Sequence, residues 1–214
     1  MSLSRQFSFI NNQHGFTISL IEGHSLIDEI TKVHNIGPKA QDFYQKTVLG
    51  SLQLINFLKP GETLGFYIDS EEPYFRFKIE MSNNGTLRTL LLPEEFEDFP
   101  VLFTGNCRVN KIFANKAPYT SIIDYKNFKV QEIANELMDK SYQTNGKIFV
   151  AKDANCSLLV TKLPPTNINK KIEDYEDLSM EDFIKDYQDL IEAALELKTS
   201  DVEKVETLFA AKEF

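Results

Sequence analysis

The stretch 38–58, PKAQDFYQKTVLGSLQLINFL, constrains the fold more than any other part of the chain. Read as a helix, it gathers Ala40, Phe43, Tyr44, Val48, Leu52, Leu54, Ile55, Phe57 and Leu58 into an apolar arc of roughly 220°, about twice the stripe that a surface helix needs. Asp42, Gln45, Lys46, Gln53 and Asn56 crowd into the remainder, and Leu49 intrudes even there. Such a helix demands cover on at least two sides. At about 1.5 Å per residue it would be about 30 Å long, close to the diameter of a small domain. Gly37-Pro38 opens it and Pro60-Gly61 stops it. Gly50 and Ser51 leave its middle almost bare, so another backbone can approach there.

A chain of 214 residues is one large domain, or one domain with an appendage, and can bury a substantial core. No run approaches about 18 consecutive apolar residues, which argues against a membrane partner. The N-terminus MSLSRQFSF has no apolar segment followed by small residues, so it does not read as a signal peptide and a cytoplasmic setting is expected. Cys107 and Cys156 lie far apart and neither belongs to a CxxC pair; they read as two ordinary thiols in strands. The net charge of −9 is uneven: residues 167–214 hold 14 acids and 6 lysines, while 1–166 are nearly neutral. Neither part offers the basic face that nucleic acid requires.

Residues 5–10 and 15–21 alternate as strands, and Ser25 with Asp28 forms a capping-box pattern opening a short helix, with Leu26, Ile27, Ile30 and Val33 inward. Beyond Pro60-Gly61 the period switches to two. Leu64, Phe66 and Ile68 share one face of a strand, and Phe75, Phe77, Ile79 and Met81 share one face of the next. Asn83-Asn84-Gly85 turns into a third strand, giving an antiparallel meander with one apolar face. An acidic, aromatic loop, EEFEDFP at 94–100, precedes strands near 106–113 and 119–125. A second amphipathic helix covers 130–142, followed by strands at 147–151 and 157–163. Leu158-Leu159-Val160 does not alternate, which suits a strand covered on both faces.

Pro164-Pro165 marks a boundary between a body, 1–165, and an acidic helical segment, 166–214. Ser179 with Asp182 and Ser200 with Glu203 are capping signals for two helices, 179–197 and 200–212. Phe183, Ile184, Tyr187, Leu190 and Ile191 make an apolar stripe on the first, Leu208 and Phe209 on the second. Their fronts must lie on something, since each large side chain left uncovered forfeits about 1.5–3 kcal/mol. A fixed appendage and a removable cover both satisfy this.

No catalytic constellation is present. The sequence has no GxSxG elbow, HExxH, phosphate-binding glycine loop or GxGxxG after a strand. His14, His24 and His34 are scattered, and the pairs Glu71-Glu72 and Glu94-Glu95 read as solvated loop acids.

The run GHSLIDEITKVHNIGPKAQDFYQKTVLGSLQLINFLKPGETLGFYI at 23–68 resembles the signature region of the redox-regulated heat shock protein 33 holdase chaperones. The matching residues are His34, Pro38, Leu49-Gly50, Leu58-Lys59 and Leu64. SEEP at 70–73 occupies the place of the family's GDGP turn, and GTLR at 85–88 that of its G-x-x-R step. APYTSII at 117–123, SYQTNG at 141–146 and CSLLVTKLPP at 156–165 resemble later landmarks, so the likeness spans residues 5–212. SEEP lacks two of the family's glycines, and Arg88-Thr89 stands where the family has Arg-Gly. The family's C-terminal zinc module, with CxC and CxxC pairs, has no counterpart before the chain ends at FAAKEF. Either a longer protein stops here at a domain boundary, as the abrupt end suggests, or this is a member without the oxidation sensor.

The fold expected is α+β, with two packed, mainly antiparallel sheets around a long buried helix and a C-terminal acidic helical linker. The resemblance implies a non-enzymatic, ATP-independent holdase with no cofactor bound by this chain, whose partners are unfolded or aggregating proteins. A homodimer exchanging its C-terminal helices is compatible with it. On this expectation the meander residues Phe66, Ile68, Phe75, Phe77, Ile79 and Met81 form the client surface, and the stripes of the two tail helices form the cover. The rival readings are a partner-specific adaptor of the same fold and an enzyme with a pocket between helix 38–58 and the sheets.

Overall fold

A computed structural model describes residues 4–113, 116–142, 144–164, 175–197, 202–211 and 214. The proposed boundary at Pro165, most of the linker after it, and the cap at Ser200 lie outside the described residues. Two antiparallel sheets form the body. The first has four strands in the order β1 (Arg5–Asn11), β2 (Phe16–Glu22), β9 (Cys156–Lys162) and β8 (Gly146–Val150). The second has five, in the order β5 (Leu87–Leu92), β4 (Tyr74–Ser82), β3 (Thr63–Glu72), β6 (Leu102–Phe113) and β7 (Lys116–Lys129). The helices among the described residues are α1 (His24–His34), α2 (Pro38–Leu52), α3 (Ile133–Leu137), α4 (Met180–Asp186), α5 (Gln188–Glu196) and α6 (Val202–Ala210). None of the described helices is long and apolar enough to cross a membrane.

The wide apolar arc of 38–58 is answered from both sides. Toward the five-stranded sheet, the Phe43 ring meets those of Phe75 and Phe77 edge-on at 5.8 and 5.7 Å, and Tyr44 meets Phe77 at 6.3 Å. Toward the four-stranded sheet, Ser157 Oγ donates to Leu49 O at 2.9 Å. The bare middle of the helix receives side chains rather than another backbone: a Cβ at Gly50 would lie 3.3 Å from Val150 and 3.6 Å from Ala134.

Local details depart from the sequence expectations. The α-helix ends at Leu52 and tightens into a 3-10 turn, Gln53–Phe57, and the Gln53 side chain turns inward. Its Nε2 donates to Ser157 O at 2.9 Å and to Ser157 Oγ at 3.0 Å, and its Oε1 accepts from Asn56. Gln53, a polar-side residue by periodicity, is therefore fully buried. Helix α1 starts at His24 after Gly23, and no side chain caps it, so Ser25 is not its N-cap. Val33, expected inward, is 78% exposed. The stretch 130–142 is divided into a 3-10 turn, the five-residue α3 and a π turn. The first tail helix breaks at Tyr187 into α4 and α5.

The buried end of α2 yields a stability prediction. Leu52→Asp would bury an unpaired carboxylate and is expected to prevent folding of the body. Gln53→Ala orphans the groups it bonds and is expected to lower stability by about 2–3 kcal/mol. Urea denaturation of purified protein checks both.

Candidate functional site

Alternation along two neighbouring strands builds the outward face of the four-stranded sheet. Phe16, Ile18 and Leu20 of β2 point away from α2, as do Leu158 and Val160 of β9, and the register pairs Ile18 with Val160 and Leu20 with Leu158. Cys156 and Ala151 extend the same patch. The intervening residues Ile21 and Leu159 belong instead to the core around α2. Leu158-Leu159-Val160 fails to alternate because each face of its strand has its own cover.

The outer cover is the C-terminal helices. Phe183 of α4, Leu190, Ile191 and Ala194 of α5, and Val205 and Phe209 of α6 are buried against that patch, with Ile184, Tyr187 and Leu208 packed at its margin. Two face-to-face ring pairs carry the contact. Phe183 lies on Phe16 at 3.9 Å and 11°, and Phe209 lies on Phe9 at 3.9 Å and 6°. Phe214 meets Phe183, Tyr187 and Phe209 edge-on. Ser179 accepts from the Asp182 amide at 3.1 Å and starts α4, as its capping box predicts.

Among the described residues, polar contacts gather at the rim near the entry to α4. Lys162 Nζ donates to Leu178 O and pairs with Asp177, both at 2.7 Å. Asn11 Nδ2 donates to the Tyr187 hydroxyl at 3.1 Å, and His14 Nδ1 lies 3.3 Å from Glu176 O. The Cys156 thiol is the exception beneath the cover, lying 3.2 Å from Leu195 O and 3.6 Å from Ala194 O. Burial first, and then Asp153 and Glu22, push its pKa up to about 12. Cys107 is buried elsewhere, in the core around α2, and burial raises its pKa too.

The tail residues singled out by sequence therefore come together, whereas the six meander residues lie elsewhere. Phe66, Ile68, Phe75, Phe77, Ile79 and Met81 are at most 1% exposed, all in the core beneath α2. The reason is the helix itself: its wide arc needs the meander's apolar face as cover, leaving none of the six reachable in this arrangement. For the residues under the tail helices, the sequence signals were the alternation of Phe16, Ile18 and Leu20 and the unalternating 158–160 run, and neither says which layer covers them.

No group of three or more His, Cys, Asp or Glu among the described residues is placed to hold a metal ion. The histidines stand apart: His34 Nε2 is 2.9 Å from Thr89 Oγ1, and His24 Nδ1 is 2.8 Å from Asn155 Oδ1. Glu62 is held below the usual carboxylate range by hydrogen bonds from Lys111 and then from the Lys59 amide, which close the turn into β3.

A search of curated proteins finds no match. Among solved structures, the 33 kDa chaperonin (heat shock protein 33 homolog) of Thermotoga maritima shares the fold. Its TM-score is 0.67 at 15% identity, over 96% of this chain and 74% of the other. The family model described as Hsp33 protein matches residues 4–213. Nearly the whole length is matched, strands, central helix and cover helices included: this chain belongs to the Hsp33 family of chaperones.

Proposed function

We propose that this protein is an ATP-independent holdase that binds unfolding proteins on the outward face of its four-stranded sheet, with α4–α6 as a displaceable cover. One observation carries the reading. The apolar cluster between that sheet face and the C-terminal helices is separate from the cluster around α2. Lifting the helices would bare Phe16, Ile18, Leu20, Leu158 and Val160 as one strip without opening the core of the body. Ordinary soluble domains do not leave such a strip exposed, and unfolded chains offer apolar segments that fit it. The client face on this reading is the covered sheet rather than the meander. No side chain performs catalysis, the setting is the cytoplasm, and exchange of the helices between two copies would use the same face.

Phe183→Ala combined with Phe209→Ala removes both ring stacks, each truncation costing about 3–5 kcal/mol at a buried site. The double variant is expected to suppress light scattering by a heat-unfolded client several-fold more effectively than the parent at equal concentration. If neither protein lowers scattering at twofold excess, the reading fails.

The two thiols report undocking. Cys156 is expected to react with a maleimide at least about tenfold faster than Cys107, because lifting the cover exposes only the former. Equal rates would mean that the cover moves only when the body unfolds. Docking is also expected to weaken as the pH rises above the ordinary thiol value of 9.0, where the exposed thiol ionises while the docked one keeps its proton up to about 12. Labelling across that range, with Cys107 as reference, measures the trend.

A further inference from the structure

The acidic, aromatic loop 94–100 takes no part in the cover. It borders a hollow of about 440 Å³ alongside the first half of α2. Phe43 of α2, Phe99 and Val101 after the loop, and Ile133 and Ile148 supply its apolar lining, while Lys39, Lys46 and Lys152 stand around it. The walls are fixed. Phe99 stacks on Phe43 at 4.2 Å and 17°, and the Gly37 amide holds Glu94 O at 3.0 Å. Across the hollow, the Asn135 side chain clamps both the amide and the carbonyl of Ile148, at 2.7 and 3.0 Å.

The charge around the hollow runs against that of the chain. In a protein of net charge −9, the residues lining the hollow include three ammonium groups and one carboxylate, Asp42. Of the acids on the bordering loop, Asp98 pairs with Lys39, and Glu94, Glu95 and Glu97 are not among the lining residues. Lys46 pairs with Asp42 at 2.6 Å and Lys39 with Asp98 at 3.2 Å, and Lys152 makes no ion pair among the described residues. Val101, at the edge, leaves 71% of its surface exposed, an apolar side chain still without cover.

We propose that this hollow binds a small amphipathic carboxylate, its apolar body against Phe43, Phe99, Val101 and Ile133 and its anionic head at Lys152 and Lys46. The volume lies within the range of small-molecule sites, roughly 300–1,000 Å³, and admits an aliphatic acid of about eight to ten carbons. An alcohol of the same length keeps the apolar contact and forfeits the attraction of the ammonium groups. An amine of that length is repelled by them.

The experiment is a titration of the full chain with octanoate below its micelle concentration, followed by methyl NMR. Saturable shifts are expected at Val101, Ala134 and Ile148, with octanoate binding about tenfold more tightly than octan-1-ol. Lys152→Glu and Val101→Asp, both at exposed positions, should each weaken octanoate about tenfold or more while leaving the melting temperature unchanged. Octan-1-ol binding as tightly as octanoate would overturn the proposal, as would a Lys152→Glu protein of parental affinity. Shifts appearing first at Leu158 and Val160 would place the ligand beneath the cover helices and overturn it too, as would the absence of saturable shifts.

Discussion

A sheet with apolar side chains on both faces has to be covered twice, and the rest of this structure follows from that requirement. In β9, Ser157 and Leu159 turn toward α2, and Leu158 and Val160 turn away from it. Helix α2 can close only one of these faces, because its other side is committed to the five-stranded sheet through Phe43 and Tyr44. The second face is covered by the apolar stripes of the C-terminal helices. The order of layers is five-stranded sheet, helix, four-stranded sheet, cover, and the chain reaches the last layer only at its end.

The two interfaces of the four-stranded sheet differ in chemistry. The inner one is fastened by buried hydrogen bonds that match particular partners: Gln53 Nε2 to Ser157 Oγ and to Ser19 O, and Ser157 Oγ to Leu49 O. Separating those groups without water would cost each its bond, so that interface opens only with the fold. The outer interface rests on ring stacking and aliphatic contact, with hydrogen bonds mainly at the rim. Apolar contact is not directional. On the proposed function, a different apolar partner would replace the cover helices at little penalty.

Much of this was legible in the sequence because hydrophobic periodicity reports burial. The arc of 38–58 announced a helix covered on two sides, and the 158–160 run a strand covered on two faces. Periodicity does not report which layer does the covering. The Phe-rich strands 63–82 looked like a surface awaiting clients because their apolar face is so complete, yet that completeness is what α2 consumes. Gln53 was misplaced for the complementary reason: a single buried amide is polar by type and becomes internal only when its partners, Ser157 among them, arrive from about a hundred residues away. His34 was legible as a helix-end residue, whereas its bond to Thr89 depends on the packing of α1 against β5.

The charge of the C-terminal segment bears on how firmly the cover is held. Residues 167–214 hold fourteen acids against six lysines, and the ten acids among the described residues are exposed on a segment whose apolar stripe is turned inward. Their repulsion opposes the compact, docked arrangement and is relieved when the helices part. Salt screens it over about 8–10 Å, so higher ionic strength should favour the docked state. The ion pair of Lys162 with Asp177 ties the segment to the sheet and acts in the other direction, and salt weakens it as well. On the proposed function, the cover is held by its apolar stripe against its own charge, and that charge would keep the helices soluble once lifted and bring the docked state closer to release.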